Sequence, residues 1–252
     1  MSLSVIIITR DEEDRLPGAL ASVRELADEI VLVDTGSTDS TLSIARGEEK
    51  LRLVQAPFEN FSQAKQRALD EARGEWVLAL DADERVSVEL ARKIRQLEAN
   101  QQLVGMGGFC LRRRNFVLGH QMRSMGLERD TQLRLFRREG ARYNGHLVHE
   151  GVSLPSGTPL GLLEEPLDHY TFGGIDSYLR KMDLYTTLEI REGTRAFSRW
   201  HLISSPPSTF CRVYFFRGGW RDGFPGFLWA SLTVLGRFLR DVKLWIRQIQ
   251  GD

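Results

Sequence analysis

The segment Asp81-Ala82-Asp83-Glu84 sets two carboxylates one residue apart, with a third beside them, directly after the apolar run Trp76 to Leu80. Carboxylates at i and i+2 in a turn beyond a strand can both reach a hard divalent cation, whose shell is normally completed by water and ligand phosphates. The chemistry this suggests is a Mg²⁺–diphosphate site. The same acids would also suit a turn ahead of a helix starting near Ser87, where negative charge meets the helix dipole favourably. Two further polar clusters stand at comparable places, Thr9 to Glu13 (TRDEE) and Asp34 to Asp39 (DTGSTD). Gly36 sits where a tight turn needs it, and Asp34 at a strand end could accept hydrogen bonds from a base or a ribose.

These clusters need a scaffold that brings them together, and the first hundred residues supply one. Ser4–Thr9, Glu29–Asp34, Leu51–Ala56 and Glu75–Leu80 read as short β-branched or apolar strands. Helical spacing follows the first around Leu16, Leu20 and Val23, with Pro17 tolerable in a first turn, and the second at Leu42 and Ile44, capped by Thr38 or Asp39. Ser62–Ala72 and Ser87–Ala99 are the next two helices. Strands alternating with helices imply right-handed crossovers and a mainly parallel sheet. In such sheets ligands bind beyond the carboxyl ends of the strands, where all three polar clusters would converge. After about residue 105 the pattern changes to the strands GGFCLRRRNFVL and TQLRLFRR, joined by Gly-rich segments.

The runs SVIIITRDEE, IVLVDTGSTDST, FSQAKQRALDEARGEWVLALDADE and RLFRR…GHLVHEG together resemble family 2 glycosyltransferases. Within that family they most resemble the branch that adds a sugar to the inner core of bacterial lipopolysaccharide. The resemblance implies a GT-A fold: a Rossmann-like, mainly parallel α/β sheet flanked by helices, here with a C-terminal amphipathic helical extension. Residues 1–205 would form the catalytic domain, with a nucleotide-sugar half (1–100) and an acceptor half (101–205), and 206–252 a basic, aromatic tail. The implied activity is inverting transfer of a hexose, taken as glucose, from a UDP-linked donor to a lipopolysaccharide-core or other glycolipid acceptor, with Mg²⁺ or Mn²⁺ as cofactor. Thr9, Glu12 and Asp34 would line the nucleoside pocket, Lys65 or Arg67 would face the diphosphate, Asp81 would lie near ribose and metal, and Asp83 would bind the metal. Glu150 in GHLVHEG is the first choice of base and His149 the second, with His146 nearby. Arg134 reads as an exposed strand arginine, and His169, Tyr170 and Lys181 match the family by position without a role. The chain departs from the family's frequent residues at Ile8, Asp11 and Gln66.

Composition sets the outer limits. At 252 residues, 42% apolar and 27% charged, the chain is an ordinary globular one, and a net charge of zero gives no reason to expect nucleic acid. Cys110 and Cys211 lack metal-ligand spacing and suggest a reducing cytoplasm. The longest uncharged stretch, Gly223–Gly236, is too short to span a bilayer. From Pro206 onward there are seven Lys/Arg against three Asp/Glu. The stretch SSPPSTF should break the preceding structure. Beyond it, Leu228, Leu232, Leu235, Leu239, Val242, Ile246 and Ile249 form one helical stripe, with Arg240, Lys243 and Arg247 opposite. Such a helix can rest on an anionic membrane, placing the enzyme on the inner face of the cytoplasmic membrane, or pack on the catalytic domain or a second subunit of a homodimer. A haloacid-dehalogenase-like phosphatase and a membrane-docked nucleotide-sugar binding module without catalysis are the competing readings.

Overall fold

The computed structural model describes residues 1–148, 150–171, 174–193 and 197–250. The chain divides into two compact units, 1–114 with 130–169 and 115–129 with 170–252. This division falls at His169/Tyr170 and at the ends of the 115–129 segment. Unit membership follows where chain segments pack, and the 115–129 segment is stitched to 211–222: Arg123 N and Ser124 Oγ donate to the buried Asp222 carboxylate, and Met125 N donates to Arg217 O.

The first unit begins with the strands and helices the sequence predicts. In order they are β1 (Leu3–Thr9), α1 (Leu16–Val23), β2 (Glu29–Asp34), α2 (Thr41–Arg46), β3 (Leu51–Gln55), α3 (Phe61–Glu71), β4 (Trp76–Asp81), β5 (Glu84–Val86) and α4 (Val88–Ala99). Then come β6 (Gly108–Val117), β7 (His120–Gln121), β8 (Thr131–Arg137), β9 (Arg142–Tyr143), β10 (Val152–Ser153) and β11 (Leu160–Tyr170). The main sheet runs β3-β2-β1-β4-β8-β6-β11-β5, and its first four strands are parallel. β8 then joins β4 antiparallel, and β6 joins β8 antiparallel. β1, β2 and β4 are buried nearly throughout, as β-branched and apolar runs covered on both faces must be. Leu16, Leu20, Leu90 and Ile94 cover one face and Ala68 and Leu69 of α3 the other. Local chemistry starts the helices: Asn60 Oδ1 accepts from Gln63 N at 2.8 Å, and Ser87 Oγ accepts from Leu90 N at 3.1 Å.

Strand order reverses at β1, with β2 on one side and β4 on the other. Register places Thr9 opposite Asp34 and Ile8 opposite Asp81, so the carboxyl ends of β1, β2 and β4 finish level. A switch point of this kind opens a crevice beyond the strand ends. The short β5, which sequence patterning leaves as a turn, pairs antiparallel with β11 and sets His169 opposite Glu84.

The second unit is helical: α5 (Ile175–Arg191), α6 (Arg199–Phe210) and α7 (Gly223–Gln250), with Cys211–Phe216 in a wider π-helical turn. Pro206 and Pro207 lie inside α6, correcting the break expected at SSPPSTF. Proline's fixed φ suits a helix, but inside one it removes N–H donors and its ring crowds the carbonyl four residues back; α6 packs along α7, and that packing offsets the cost. Gly226 of α7 lies against the Gly219 carbonyl so closely that an added Cβ would sit 1.9 Å from it. Glycine is the residue that permits this approach.

Candidate active site

The two loops at the carboxyl ends of β1 and β2 are knitted to each other. Asp11 Oδ1 accepts from Thr38 N at 2.7 Å, Glu13 Oε2 from Ser40 N at 2.9 Å, and Asp39 Oδ2 from Glu13 N at 3.1 Å. Asp11 adopts φ +53° and Gly36 φ +105° to make the crossing. Asp34, expected to meet the nucleoside, is fully buried and builds this loop: its carboxylate accepts from Gly36 N at 3.0 Å, Ser37 N at 3.1 Å, Ser37 Oγ and, at 3.5 Å, Thr9 Oγ1. Thr9 is likewise buried. Glu12 lies partly exposed, with Arg15 Nη1 at 3.4 Å from its carboxylate.

The DADE segment splits into two environments. Asp81 and Glu84 face a buried ionic cluster. Arg134 Nη2 donates to Asp81 Oδ2 at 2.5 Å and to Glu84 Oε1 at 2.8 Å, and Arg113 Nη2 donates to Glu84 Oε1 at 2.5 Å. Glu84 Oε2 accepts from Asp81 N at 2.9 Å, which closes the turn. Arg134 is therefore a buried residue and not the exposed one its strand position suggested. The signal available in sequence was Phe136 two residues on, which puts a large apolar side chain on the same face of the strand as Arg134. Asp83 takes the other environment, with Arg15 Nη1 at 3.8 Å and His169 Nε2 at 3.6 Å from Oδ2. Sequence reasoning gave His169 no role, because only the β5–β11 pairing brings it beside the acidic turn.

Lys65 ties the cluster to the late loop. Its Nζ lies 2.8 Å from Asp81 Oδ1 and 2.8 Å from Glu150 Oε1, so residues 85 positions apart meet at one buried ammonium. Arg67 is exposed at 58% of its side chain and pairs with Glu71 at 3.4 Å. Residues two apart on a helix cannot share a face, and the structure turns Lys65 inward. His146 is exposed, and His149 lies outside the described residues.

Burial alone would raise the Asp81 carboxyl and lower the Lys65 ammonium. Charge outweighs it in both: Arg134, Lys65 and Arg113 hold Asp81 well below the usual carboxylate range, while Asp81 and Glu150 raise Lys65. Burial also pushes the Tyr143 phenol, beside the same groups, up to about 12. Asp81 and Lys65 thus stay charged across the physiological range.

Among the described residues no group of three or more His, Cys, Asp or Glu side chains is arranged to hold a metal ion. The donor set at Asp83 still fits a cation that takes most of its shell from a ligand: one buried carboxylate with an imidazole nitrogen 3.6 Å away, at a switch point, leaves positions for phosphate oxygens and water.

A curled sheet with β1, β2 and β4 ending level around an acidic turn, closed by antiparallel strands, is the GT-A glycosyltransferase fold. Residues 4–157 match the family described as Glycosyl transferase family 2, and the chain belongs to that family. It is 31% identical to the lipopolysaccharide core biosynthesis glycosyltransferase LpsC of Rhizobium meliloti (strain 1021), over 98% of this chain and 93% of that one. A 140-residue stretch is 29% identical to the GalNAc(5)-diNAcBac-PP-undecaprenol beta-1,3-glucosyltransferase of Campylobacter jejuni, covering 52% of this chain and 45% of that one. Among solved structures it is similar to S. aureus TarS 1-349 in complex with UDP-GlcNAc, at TM-score 0.51 and 15% identity, over 100% of this chain and 93% of that one. Membership bears out the resemblance read from the motifs and sets aside the phosphatase reading.

Proposed function

We propose that the chain is an inverting hexosyltransferase that moves a sugar, glucose in our reading, from a UDP-linked donor to a lipopolysaccharide-core acceptor. The observation that carries this reading is the Lys65 bridge: one buried ammonium joins Asp81 of the acidic turn to Glu150, in a chain whose family transfers sugars. The likeness to LpsC supports the acceptor class, and the likeness to UDP-GlcNAc-bound TarS supports a nucleotide-sugar donor.

In this mechanism the donor lies across the loops after β1 and β2, with Thr9 and Glu12 on the nucleoside side and Asp34 holding the loop in shape. Asp83, with His169 beside it, would hold Mg²⁺ or Mn²⁺. The bound cation supplies compensation for the negative charge of the diphosphate. Glu150 takes the proton from the acceptor hydroxyl, whose oxygen forms the new bond to the anomeric carbon. The bond from that carbon to the diphosphate breaks, and its electron pair leaves with the nucleoside diphosphate. Lys65, held protonated by its two carboxylate partners, places positive charge next to this exchange.

Residues 206–252 we assign to the acceptor side, resting on the anionic inner face of the membrane that carries a lipid-linked acceptor. Among the described residues no helix is long and apolar enough to cross a membrane, so this contact would be peripheral. The reading is tested by supplying UDP-hexoses with Mg²⁺ or Mn²⁺ and a truncated lipopolysaccharide-core acceptor. The expected result is acceptor-dependent UDP release and a product enlarged by one hexose. Absence of release with every nucleotide-hexose, in the presence of either metal, would leave the non-catalytic binding module as the better account.

A further inference from the structure

We propose that the corner formed by residues 212–224 is an interfacial membrane anchor, an aromatic wedge ringed by arginines that seats on anionic phospholipid. It rests on the membrane association just assigned to residues 206–252 and deepens it by naming the surface, which is not the one helical periodicity indicates. The three cations opposite the apolar stripe of α7 are all engaged by α5, two of them through hydrogen bonds. Lys243 Nζ donates to Asp183 O, Thr186 Oγ1 and Thr187 Oγ1 at 2.7–2.9 Å, and Arg247 Nη1 donates to Ile190 O at 2.8 Å. The third, Arg240, has Nη1 3.7 Å from Glu189 Oε2 of α5 and Nη2 3.1 Å from Asp241 Oδ1.

Leu235, Ile246 and Ile249 of that stripe are themselves exposed, at 43%, 43% and 64%, but the denser exposed apolar surface lies elsewhere. Phe215, Phe216, Trp220 and Phe224 are exposed at 58%, 86%, 54% and 71%, all within ten residues of one another. Phe215 and Phe224 belong to one connected set of rings: Phe215 packs on Tyr214 and Phe210, both of these pack on Phe227, and Phe227 packs on Phe224. The backbone beneath is fixed by the π-helical turn, by the Gly219–Gly226 approach and by Asp222. Aromatic side chains held on a firm base at this density suit the boundary between headgroups and acyl chains.

Charge selects the occupant. Arg212, Arg217 and Arg221 are exposed around these rings, while Asp222, the acid among them in sequence, is turned inward onto Ser124 and Arg123 N. The cationic character extends to Arg237, which burial and then the charges of Arg212, Arg240 and Arg217 hold below the usual guanidinium range. A two-fold contact between two such corners would set arginine against arginine, which opposes a second copy as the occupant. An anionic lipid surface complements both the aromatic rings and the arginines around them.

The test uses the full chain without donor or acceptor, so its outcome is independent of the proposed reaction. An environment-sensitive fluorophore is attached to the exposed Cys211 in a Cys110→Ser background, which leaves the wedge itself intact. On phosphatidylglycerol-containing vesicles the emission should shift to the blue, and on pure phosphatidylcholine it should shift far less. Phe215→Ser with Phe216→Ser should lower vesicle partition at least roughly ten-fold. Replacing Arg212, Arg217 and Arg221 together by Gln should weaken it by roughly 10²-fold at low salt and remove most of its salt dependence. A probe that stays in water while the chain co-sediments, or variants that bind like the parent, would overturn the proposal. So would a chain that ignores anionic vesicles and loses a dimeric state on Phe216→Ser, which would give the face to a second copy.

Discussion

Replacing Lys65 by methionine removes the ammonium that joins Asp81 to Glu150 while keeping most of the side-chain volume inside α3. Removing one partner of a buried ion pair costs about 3–5 kcal/mol, because the remaining charge stays desolvated. Asp81 would keep Arg134 at 2.5 Å, so the main loss falls on Glu150, whose carboxylate is bonded to Lys65 at 2.8 Å. The lower end, about 3 kcal/mol, is therefore expected. For a chain of this size that corresponds to a fall in Tm of about 6–12 °C. Turnover should fall by roughly 10²-fold or more, the scale for removing one group that stabilises developing charge. Differential scanning fluorimetry and UDP release measure the two effects, with Arg67→Met, an exposed position on the same helix, as the stability control. A Lys65→Met protein that melts within about 2 °C of the parent and turns over normally would refute the bridge as either a structural or a chemical element.

Asp83→Asn should preserve the fold while removing most metal-dependent donor binding, since an amide is a poorer ligand for a hard cation; titration of UDP with and without Mn²⁺ checks it. Glu150→Gln should leave donor affinity nearly unchanged and reduce turnover by roughly 10²–10⁴, measured as kcat against KM for donor. Tyr143, whose phenol is raised in the folded chain, contributes stability that is present below its unfolded pKa near 10 and lost as pH rises through about 12. Tyr143→Phe should therefore flatten the alkaline loss of stability over that window by an amount on the order of 2–3 kcal/mol, read from denaturant midpoints. Asp81 has the opposite sign: its lowered carboxyl contributes stability above an unfolded pKa near 4 that is lost as pH falls further, so acid unfolding should begin below about pH 4 and shift upward in Arg134→Met.

The parallel half of the sheet was legible in the sequence because its signals are local. Continuous β-branched runs such as SVIIIT and EIVLVD make buried strands wherever helices alternate with them, and Asn60 and Ser87 start their helices through bonds three residues away. Motif order then carried the family assignment, and the polar strand ends Thr9, Asp34 and Asp81 could be placed together from the alternation alone. What each carboxylate does could not be read this way. Whether Asp34 meets a ligand or builds its own loop, and whether Glu84 belongs to a metal site or an arginine cluster, depends on donors from residues 36–37, 113 and 134. His169 reaches Asp83 through the pairing of β5 with β11, and Lys65 reaches Glu150 across 85 residues. The tail shows the same limit: helical periodicity defined the two faces of α7, but packing of α5 took up Lys243 and Arg247 and left the aromatic corner at 212–224 exposed. Periodicity and local hydrogen bonds are written along the chain, whereas the pairing of distant charges is set by strand order and helix packing, which local patterns do not encode.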